Sequence, residues 1–433
     1  MKIYKDREKT ITLLAFLWLF TLMTGYYIIK PIRETLLNEM PYQSFPYILI
    51  IIMIVILGVN CIYDRLARML SSATLITTVT VFFAAGFIIF SFLIDRKYPS
   101  VNIPFYGMQP GRYILVVCYY LYVCIYNLFI VTVFWSFVNE VFRPDEARNC
   151  FGSVTAGGTV GGLLGSFLTS RMASFASLGE LLLLSVIILF VTLIFMKLLL
   201  PYKEEKTETG RKIEENEEKK TSGFQLVATS RYLQWMLLAM FLTTSNTTLL
   251  GYQTNAIVKE AITDQAGRAA FWANINLWIN GLGLFFQVFI VKFAVKRLGM
   301  MATILISPVL DVTGGFFLLA SQKLPSASIC TAGHYSAEYS FNRASKEMLY
   351  TPTTRDFKYQ AKAIIDTFVF RLGDGLTSIL LITLGKYPLY YIAIINLAVN
   401  CLRLIPAIAL ATYYKNLTEN KIKPTGSKDD EKK

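Results

Sequence analysis

The sequence predicts an all-α polytopic membrane protein with twelve transmembrane helices in two six-helix pseudo-repeats. Of its 433 residues, 54% are hydrophobic and only 16% are charged, against roughly 25% charged in an ordinary soluble domain. Apolar runs of about 20 residues recur along almost the whole chain, and such a run matches the thickness of the hydrocarbon core of a bilayer. This composition excludes a soluble multidomain enzyme.

The positions of the apolar runs give twelve candidate spans. They lie near residues 10–30, 46–63, 74–94, 113–138, 149–170, 181–200, 232–253, 269–291, 301–321, 327–348, 362–384 and 389–413. Backbone polar groups cannot stay unpaired in lipid, and the runs are continuously apolar rather than alternating, so we expect helices and not the strands of a barrel.

A charged stretch separates the sixth span from the seventh. It begins at Pro201 and reads PYKEEKTETGRKIEENEEKKTSG. Because it is poor in aromatic residues and cannot bury a core, it is expected to be a solvated linker. We therefore predict an N-terminal half over residues 1–200, a linker over 201–230, a C-terminal half over 231–414 and a tail over 415–433.

Lysine and arginine are distributed unevenly between the two sides of the membrane. With Lys30 and Lys362 at the span edges counted as loop residues, the N-terminus, the even-numbered connections and the C-terminal tail hold 27 of them, whereas the odd-numbered connections hold 10. Short loops rich in these residues stay on the cytoplasmic side. Both termini and the linker are therefore predicted to face the cytoplasm of a cell (inner) membrane, and the net charge of +13 reflects loops rather than a surface for nucleic acid.

The two halves share short motifs at a constant offset. Gly25-Tyr26 followed by Arg33-Glu34 recurs 226 residues later as Gly251-Tyr252 followed by Lys259-Glu260. Two parallel six-helix repeats are typical of transporters that rock about a site at the midplane of the membrane.

The loop after the second span carries a further motif. Asp64-Arg65-Leu66-Ala67-Arg68 is similar to the loop between spans two and three of the major facilitator superfamily, which implies a major-facilitator-like fold. The alternative for any single loop of this kind is a basic turn that serves only the topology.

Charged residues inside the spans are the candidates for function. Each costs about 2.5–3.5 kcal/mol at a helix centre on insertion scales, so such residues persist mainly where they face a cavity or a partner. They are Lys30, Arg33, Glu34, Glu140, His334, Glu338, Arg343, Lys346, Glu347, Lys362, Asp366, Arg371 and Asp374. Pairs four residues apart on one helix, or snorkelling at the span ends, are the alternative explanations. A role facing a cavity is favoured for Arg371 and Asp374, which lie well inside a span.

The glycine-rich fifth span could be mistaken for a phosphate-binding loop. Its Gly-x-x-x-Gly spacings, at 157/161, 158/162 and 161/165, place glycines on one face of a helix and favour close helix packing, and no Lys-Ser or Lys-Thr follows them. The six cysteines lack paired spacing, and His334, the single histidine, is interpreted as a satisfied polar residue rather than a proton relay. We expect no metal and no cofactor.

Two longer stretches carry a more specific signal. The first is Phe134-Trp135-Ser136-Phe137-Val138-Asn139-Glu140, followed by Glu146-Ala147-Arg148. The second runs from Tyr339 to Gly373 and contains Ser345-Lys346-Glu347-Met348, Lys362-Ala363, Ile365-Asp366 and Arg371-Leu372-Gly373. They resemble the exit of span four and the segment across spans ten and eleven in the nucleotide transporter family, the ATP/ADP translocases of plastids and intracellular bacteria.

The resemblance implies a carrier that exchanges nucleotides, typically ATP for ADP. It points to a set of substrate-binding residues, which are Lys30, Arg33, Glu140, Lys346, Glu347 and Arg371. The candidates for coupling are Glu34, Asp366 and Asp374. We further expect Lys346 and Arg371 to face a shared central cavity. One departure from the family concerns Asp374, which occupies a position where the adenylate exchangers typically have a lysine.

Three functions remain open from the sequence. The first is a membrane carrier of a nucleotide or a related phosphorylated metabolite that works by alternating access. The second is a proton-coupled transporter of a less anionic solute, in which Asp374 either carries a proton or forms a fixed pair with Arg371. The third is a receptor or assembly factor that has lost transport, against which the retained charges argue. An enzyme is least favoured, because no nucleophile–base pair or metal cluster stands out.

Overall fold

A computed structural model describes residues 2–98, 108–203, 227–350, 365 and 369–418. Long helices dominate these ranges. They are α1 (Lys2–Leu37), α2 (Phe45–Met69), α3 (Ser72–Ile94), α4 (Pro110–Val141), α5 (Pro144–Met172), α6 (Leu178–Leu199), α7 (Arg231–Ala261), α8 (Gln265–Phe285), α9 (Lys292–Arg297), α10 (Gly299–Ala320), α11 (Leu324–Ala337), α12 (Arg343–Leu349), α13 (Phe370–Leu384) and α14 (Leu389–Thr418).

Eight helical stretches of the described chain are long and apolar enough to cross a membrane. They are Arg7–Leu37, Ser72–Ile94, Pro110–Val141, Cys150–Met172, Leu178–Tyr202, Gln265–Arg297, Gly299–Ala320 and Leu389–Asn416. Each of the twelve predicted spans contains helix, the eleventh being described from Phe370 onward apart from Ile365 and Val369. The chain is therefore an all-α polytopic membrane protein.

The helices form two compact units. One unit contains α1, most of α2, all of α3 to α6, and residues 258–280. The other contains residues 45–53, α7 up to Ile257, α8 from Gly281, and α9 to α14. Most of the predicted linker 201–230, and the tail beyond residue 418, lie outside the described residues. The division into two six-helix pseudo-repeats stays a prediction.

The eighth and the tenth predicted spans are not continuous α-helices. The eighth changes at Phe286–Val291, and the tenth at Glu338–Asn342, to π-helical turns. The two turns contact each other in the second unit, and the rings of Phe286 and Phe341 lie 5.5 Å apart. A π turn rotates the helix that follows it, so the face presented by α12 differs from the one that a regular helix would present.

The glycine face of α5 packs closely against another helix, as the sequence predicted, and the structure shows that this helix is α1. A Cβ at Gly157 would lie 2.5 Å from the carbonyl oxygen of Phe16, and Cβ atoms at Gly161 and Gly165 would overlap the carbonyls of Phe20 and Thr24. Only glycine permits two helix backbones to approach this closely. The same helix thus has a packing function and is not a nucleotide loop.

Gly161→Ala is expected to destabilise the protein by about 1–3 kcal/mol, because the new methyl group overpacks the α1–α5 contact. Gly152→Ala is the matched control, since Gly152 lies on the same helix and no atom is within 4 Å of its Cβ position. Alanine favours helix over glycine, so this control should keep or raise the thermal midpoint in detergent. Equal midpoints for the two variants would contradict the packing assignment.

Candidate substrate and coupling sites

The end of α1 places two cations against aromatic rings. The Lys30 Nζ lies 5.4 Å from the centroid of the Tyr27 ring, and the Arg33 guanidinium lies 4.8 Å from that of Tyr120. The negative face of an aromatic ring attracts such cations. Arg33 also donates from Nε to the Glu34 carboxylate at 3.1 Å, so Glu34, which is buried, is the ion-pair partner of the adjacent arginine.

Further tyrosines surround this group inside the first unit. The ring of Tyr26 lies 5.4 Å from that of Tyr27 and 6.4 Å from that of Tyr126. All three are buried, so they are not anchors at the membrane interface, which is the usual role of aromatic residues near span ends. Aromatic faces and cations together suit a planar, anionic ligand.

Glu140 joins three helix ends in the same unit. Its Oε2 accepts a hydrogen bond of 2.5 Å from Ser72 at the start of α3, and it lies 2.9 Å from the Nζ of Lys203 after α6. Lys203 also donates to the Ser72 hydroxyl at 3.2 Å. In this conformation Glu140 therefore holds a polar cluster at the end of α4.

Lys346 lies in the second unit beside a small cavity of about 60 Å³. Arg403, Asn342, Ser345 and Thr243 provide the other polar groups of its wall. The Ser345 hydroxyl is buried and has no protein partner for a hydrogen bond within the described chain. Glu347, one residue along α12, is exposed, so the two neighbouring candidates face different surroundings.

Arg371 and Asp374 form the predicted pair on one face of α13. Arg371 Nη1 lies 3.8 Å from the Oδ2 of Asp374, while the other carboxylate oxygen accepts a hydrogen bond of 2.8 Å from the Thr248 hydroxyl on α7. A Cβ at Gly373 would overlap the Thr244 hydroxyl, so the two helices are in close contact here. Asp366 lies outside the described residues, and a cavity shared by Lys346 and Arg371 stays a prediction.

The most deeply buried charges in the second unit were missed by the sequence reasoning. Asp311 on α10 lies 2.9 Å from the Nδ1 of His334 on α11 and forms an ion pair with Arg403 on α14. Their side chains are only 1–3% exposed. A signal was present, because Asp311 and Arg403 are each isolated charges within apolar runs.

A polar run on α7 was also overlooked. Thr243 to Thr248 reads TTSNTT in the middle of the predicted seventh span. Asn246 and Thr247 contact His334, and Thr248 donates to Asp374. Residues 246–248 of α7 therefore contact both His334 and Asp374. Among the described residues, no group of three or more His, Cys, Asp and Glu side chains is arranged to hold a metal ion.

Comparison with known proteins gives distant sequence relatives. ADP,ATP carrier protein 5 of Rickettsia bellii (strain RML369-C) is 23% identical over 381 residues, which cover 72% of this chain and 74% of the relative. The protein of the same name from Rickettsia prowazekii (strain Madrid E) is 24% identical over 395 residues, covering 75% and 76%. No protein-family model matches the chain.

Solved structures of transporters share the fold. A D-xylose-proton symporter has a TM-score of 0.62 at 12% identity, covering 93% of this chain and 96% of its own. A bacterial homologue of the iron transporter ferroportin, in the inward-facing state, has a TM-score of 0.63 at 12% identity, with coverage of 93% and 98%. A variant of the nucleoside transporter NupG has a TM-score of 0.57 at 12% identity, with coverage of 95% and 99%.

The structural neighbours are transporters, and the sequence relatives are ADP,ATP carriers that match about three quarters of the chain. These findings agree with the motifs at the end of span four and across spans ten and eleven. The chain is therefore an all-α membrane protein that shares its fold with solved transporters and is similar in sequence to ADP,ATP carriers.

Proposed function

We propose that the protein moves a nucleotide or a related phosphorylated metabolite across the cell (inner) membrane by alternating access. The similarity to ADP,ATP carriers over about three quarters of the chain is the observation that carries the proposal. The excess of lysine and arginine in the even-numbered loops supports termini that face the cytoplasm. Transport needs no covalent chemistry, so no residue is assigned a catalytic role.

The arginines of the candidate sites already have carboxylate partners. Arg33 is paired with Glu34, Arg371 with Asp374, and Arg403 with Asp311. Guanidinium groups bind phosphate oxygens through two parallel hydrogen bonds, so an arriving phosphate would compete with the carboxylate for its arginine. Substrate binding is therefore coupled to the release of a carboxylate, which is a means of linking occupancy to conformation.

Uptake into proteoliposomes tests the proposed function. The vesicles are loaded with unlabelled ADP or left empty, and labelled ATP, ADP, other nucleotides and nucleosides are supplied outside, with and without an inward proton gradient. We expect a labelled nucleotide to enter and counter-loaded ADP to accelerate it. If nucleotides are excluded while another solute enters, the proposed substrate class is wrong.

A proton-coupled carrier of a less anionic solute is the second candidate, and the surroundings of Asp374 favour it. This carboxylate has both a cation, Arg371, and a hydroxyl, Thr248, as partners. A substrate anion that took Arg371 would leave Asp374 hydrogen-bonded but without its counter-ion. Loss of a nearby positive charge favours the protonated form of a buried carboxylate, so substrate entry would draw in a proton.

Asp374→Asn is expected to remove the acceleration of uptake by an inward proton gradient while part of the gradient-independent flux remains. The asparagine keeps the shape and the contact with Thr248 but binds no proton. Asp264→Asn, at an exposed position between α7 and α8, is the matched control and should keep the gradient dependence. If wild-type uptake is independent of the proton gradient and counter-loaded nucleotide alone sustains that uptake, Asp374 is only a structural partner of Arg371.

A further inference from the structure

Three charged or titratable side chains are buried together within predicted spans of the second unit. Asp311, His334 and Arg403 come from three different helices, and each has a side chain at most 3% exposed. Burying ions is costly even when they are paired, and a well-packed apolar group is often at least as stable in such a place. This cost indicates that the group of Asp311, His334 and Arg403 has a role beyond packing.

Asp311 and Arg403 neutralise each other, which leaves His334 as the member whose charge can change. Asp311 is held as a carboxylate by Arg403, so it can only accept hydrogen bonds. Since Nδ1 of His334 lies 2.9 Å from it, this nitrogen carries a hydrogen. This contact does not determine whether the other ring nitrogen, Nε2, carries a hydrogen.

Thr247 gives Nε2 two equivalent hydrogen-bond states. The Thr247 hydroxyl lies 3.0 Å from Nε2 of His334 and also 3.0 Å from the carbonyl oxygen of Thr243. With a neutral ring, the hydroxyl donates to Nε2. With a protonated ring, Nε2 donates to the hydroxyl oxygen, and the hydroxyl donates to the Thr243 carbonyl. Both states give Nε2 and the Thr247 hydroxyl a hydrogen-bond partner without moving a heavy atom.

A cavity of about 290 Å³ lies beside the ring, and its wall includes Asp311, His334, Asn246, Asn396 and Asn400. Asn396 and Asn400 are each 2% exposed. Their Oδ1 atoms have no hydrogen-bond donor within the described chain. The rest of the wall is largely apolar and includes Leu310 and Phe317. Water molecules beside the asparagines would supply donors to such oxygens.

We propose that His334 is a proton-binding site of the carrier and that water beside Asn396 and Asn400 in the adjoining cavity delivers the proton. A proton from cavity water bonds to the lone pair of Nε2, and the group of Asp311, His334 and Arg403 changes from net zero to net +1. The positive charge attracts an anion, so proton and anionic substrate would bind with mutual benefit. This coupling role rests on the proposed transport function, whereas proton binding itself does not.

The other titratable or charged groups near the ring are few in the part of the chain that the structure describes. Asp311 on α10 faces it directly and Arg403 on α14 acts through Asp311, while α7 presents only the uncharged Asn246 and Thr247. On α11 itself, Cys330 lies one turn away on the cavity wall, and the Tyr335 ring lies 5.1 Å from the imidazole. Of these side-chain types, an imidazole is the one that ordinarily changes its charge near neutral pH.

The single histidine makes a direct test possible. The full-length carrier is purified in detergent with a histidine-free affinity tag after selective ¹⁵N-histidine labelling, and its imidazole nitrogens are followed by NMR from about pH 5 to 9, the range around the ordinary titration of histidine. We expect one imidazole that changes between the neutral and the protonated form, and loss of its signals in His334→Gln. An imidazole that keeps one protonation state throughout overturns the proposal, whatever the transported solute is.

Two variants extend the test. Asn396→Leu removes a polar group from the cavity wall and should slow or prevent the titration of the ring, whereas Lys386→Gln, at an exposed position after α13, should leave it unchanged. An unchanged titration in Asn396→Leu would overturn the assigned proton route. For coupling, wild-type uptake should vary with pH and His334→Gln uptake should vary at least severalfold less. If the ring titrates but the two pH profiles coincide, the coupling role is wrong although the nucleotide assignment stands.

Discussion

Arg403→Met is expected to destabilise the carrier by about 3–5 kcal/mol, the usual cost of removing one partner of a buried ion pair. The substitution leaves the Asp311 carboxylate buried without its cation, while methionine fills much of the same volume. We expect a large fall in the apparent unfolding midpoint in detergent. The effect should exceed that of Gly161→Ala, because an uncompensated buried charge costs more than a methyl overlap.

A double-mutant cycle separates the charge effect from lost packing. Asp311→Asn removes the charge and keeps an acceptor for His334 Nδ1, so the double variant Asp311→Asn/Arg403→Met should recover more than half of the lost stability. Lys386→Gln controls for a change of charge at an exposed site. Additive losses in the double variant would show that the ion pair is not the cause.

Lys346→Gln and Arg371→Gln are each expected to lower nucleotide uptake at least tenfold, with the protein inserted at normal levels. Both side chains match positions of the nucleotide transporter motifs, and a neutral amide cannot replace a cation that attracts phosphate oxygens. Initial rates in proteoliposomes, normalised to the amount of reconstituted carrier, measure the effect.

Each of these variants has a control from its own neighbourhood. Arg343→Gln changes an exposed charge on α12, the helix that carries Lys346, and Lys386→Gln changes one just after α13, the helix of Arg371. Both controls should transport at nearly normal rates. Normal uptake by Lys346→Gln and Arg371→Gln would remove these residues from the proposed site.

One residue, Arg403, connects the loss of stability expected for Arg403→Met with the loss of transport expected for Lys346→Gln. Arg403 pairs with Asp311 and at the same time lines the small cavity beside Lys346. Asp311 in turn contacts His334. A change in the protonation of His334 can therefore alter the charge balance around Lys346 through two direct contacts. This chain of contacts lies within the second unit and requires no rearrangement of the backbone.

The sequence by itself determined the membrane class, the approximate helix positions and the packing face of α5. These properties depend on local features, namely the length of apolar runs, the placement of Lys and Arg in loops, and the spacing of Gly157, Gly161 and Gly165. A residue's immediate neighbours in the chain are sufficient to predict them. The family motifs in spans four, ten and eleven likewise extend over contiguous stretches.

Only the tertiary structure decided which charges are partners. Arg403 and Asp311 are 92 residues apart in the chain, and Arg33 has the adjacent Glu34 as its ion-pair partner. Partner choice depends on the rotation of each helix about its axis and on which helices are neighbours. Apolar periodicity is too weak in a span that is hydrophobic all round to fix that rotation, and the π turns at 286–291 and 338–342 change it again. His334 was therefore recognisable as the only histidine, but not as a member of a buried charged group.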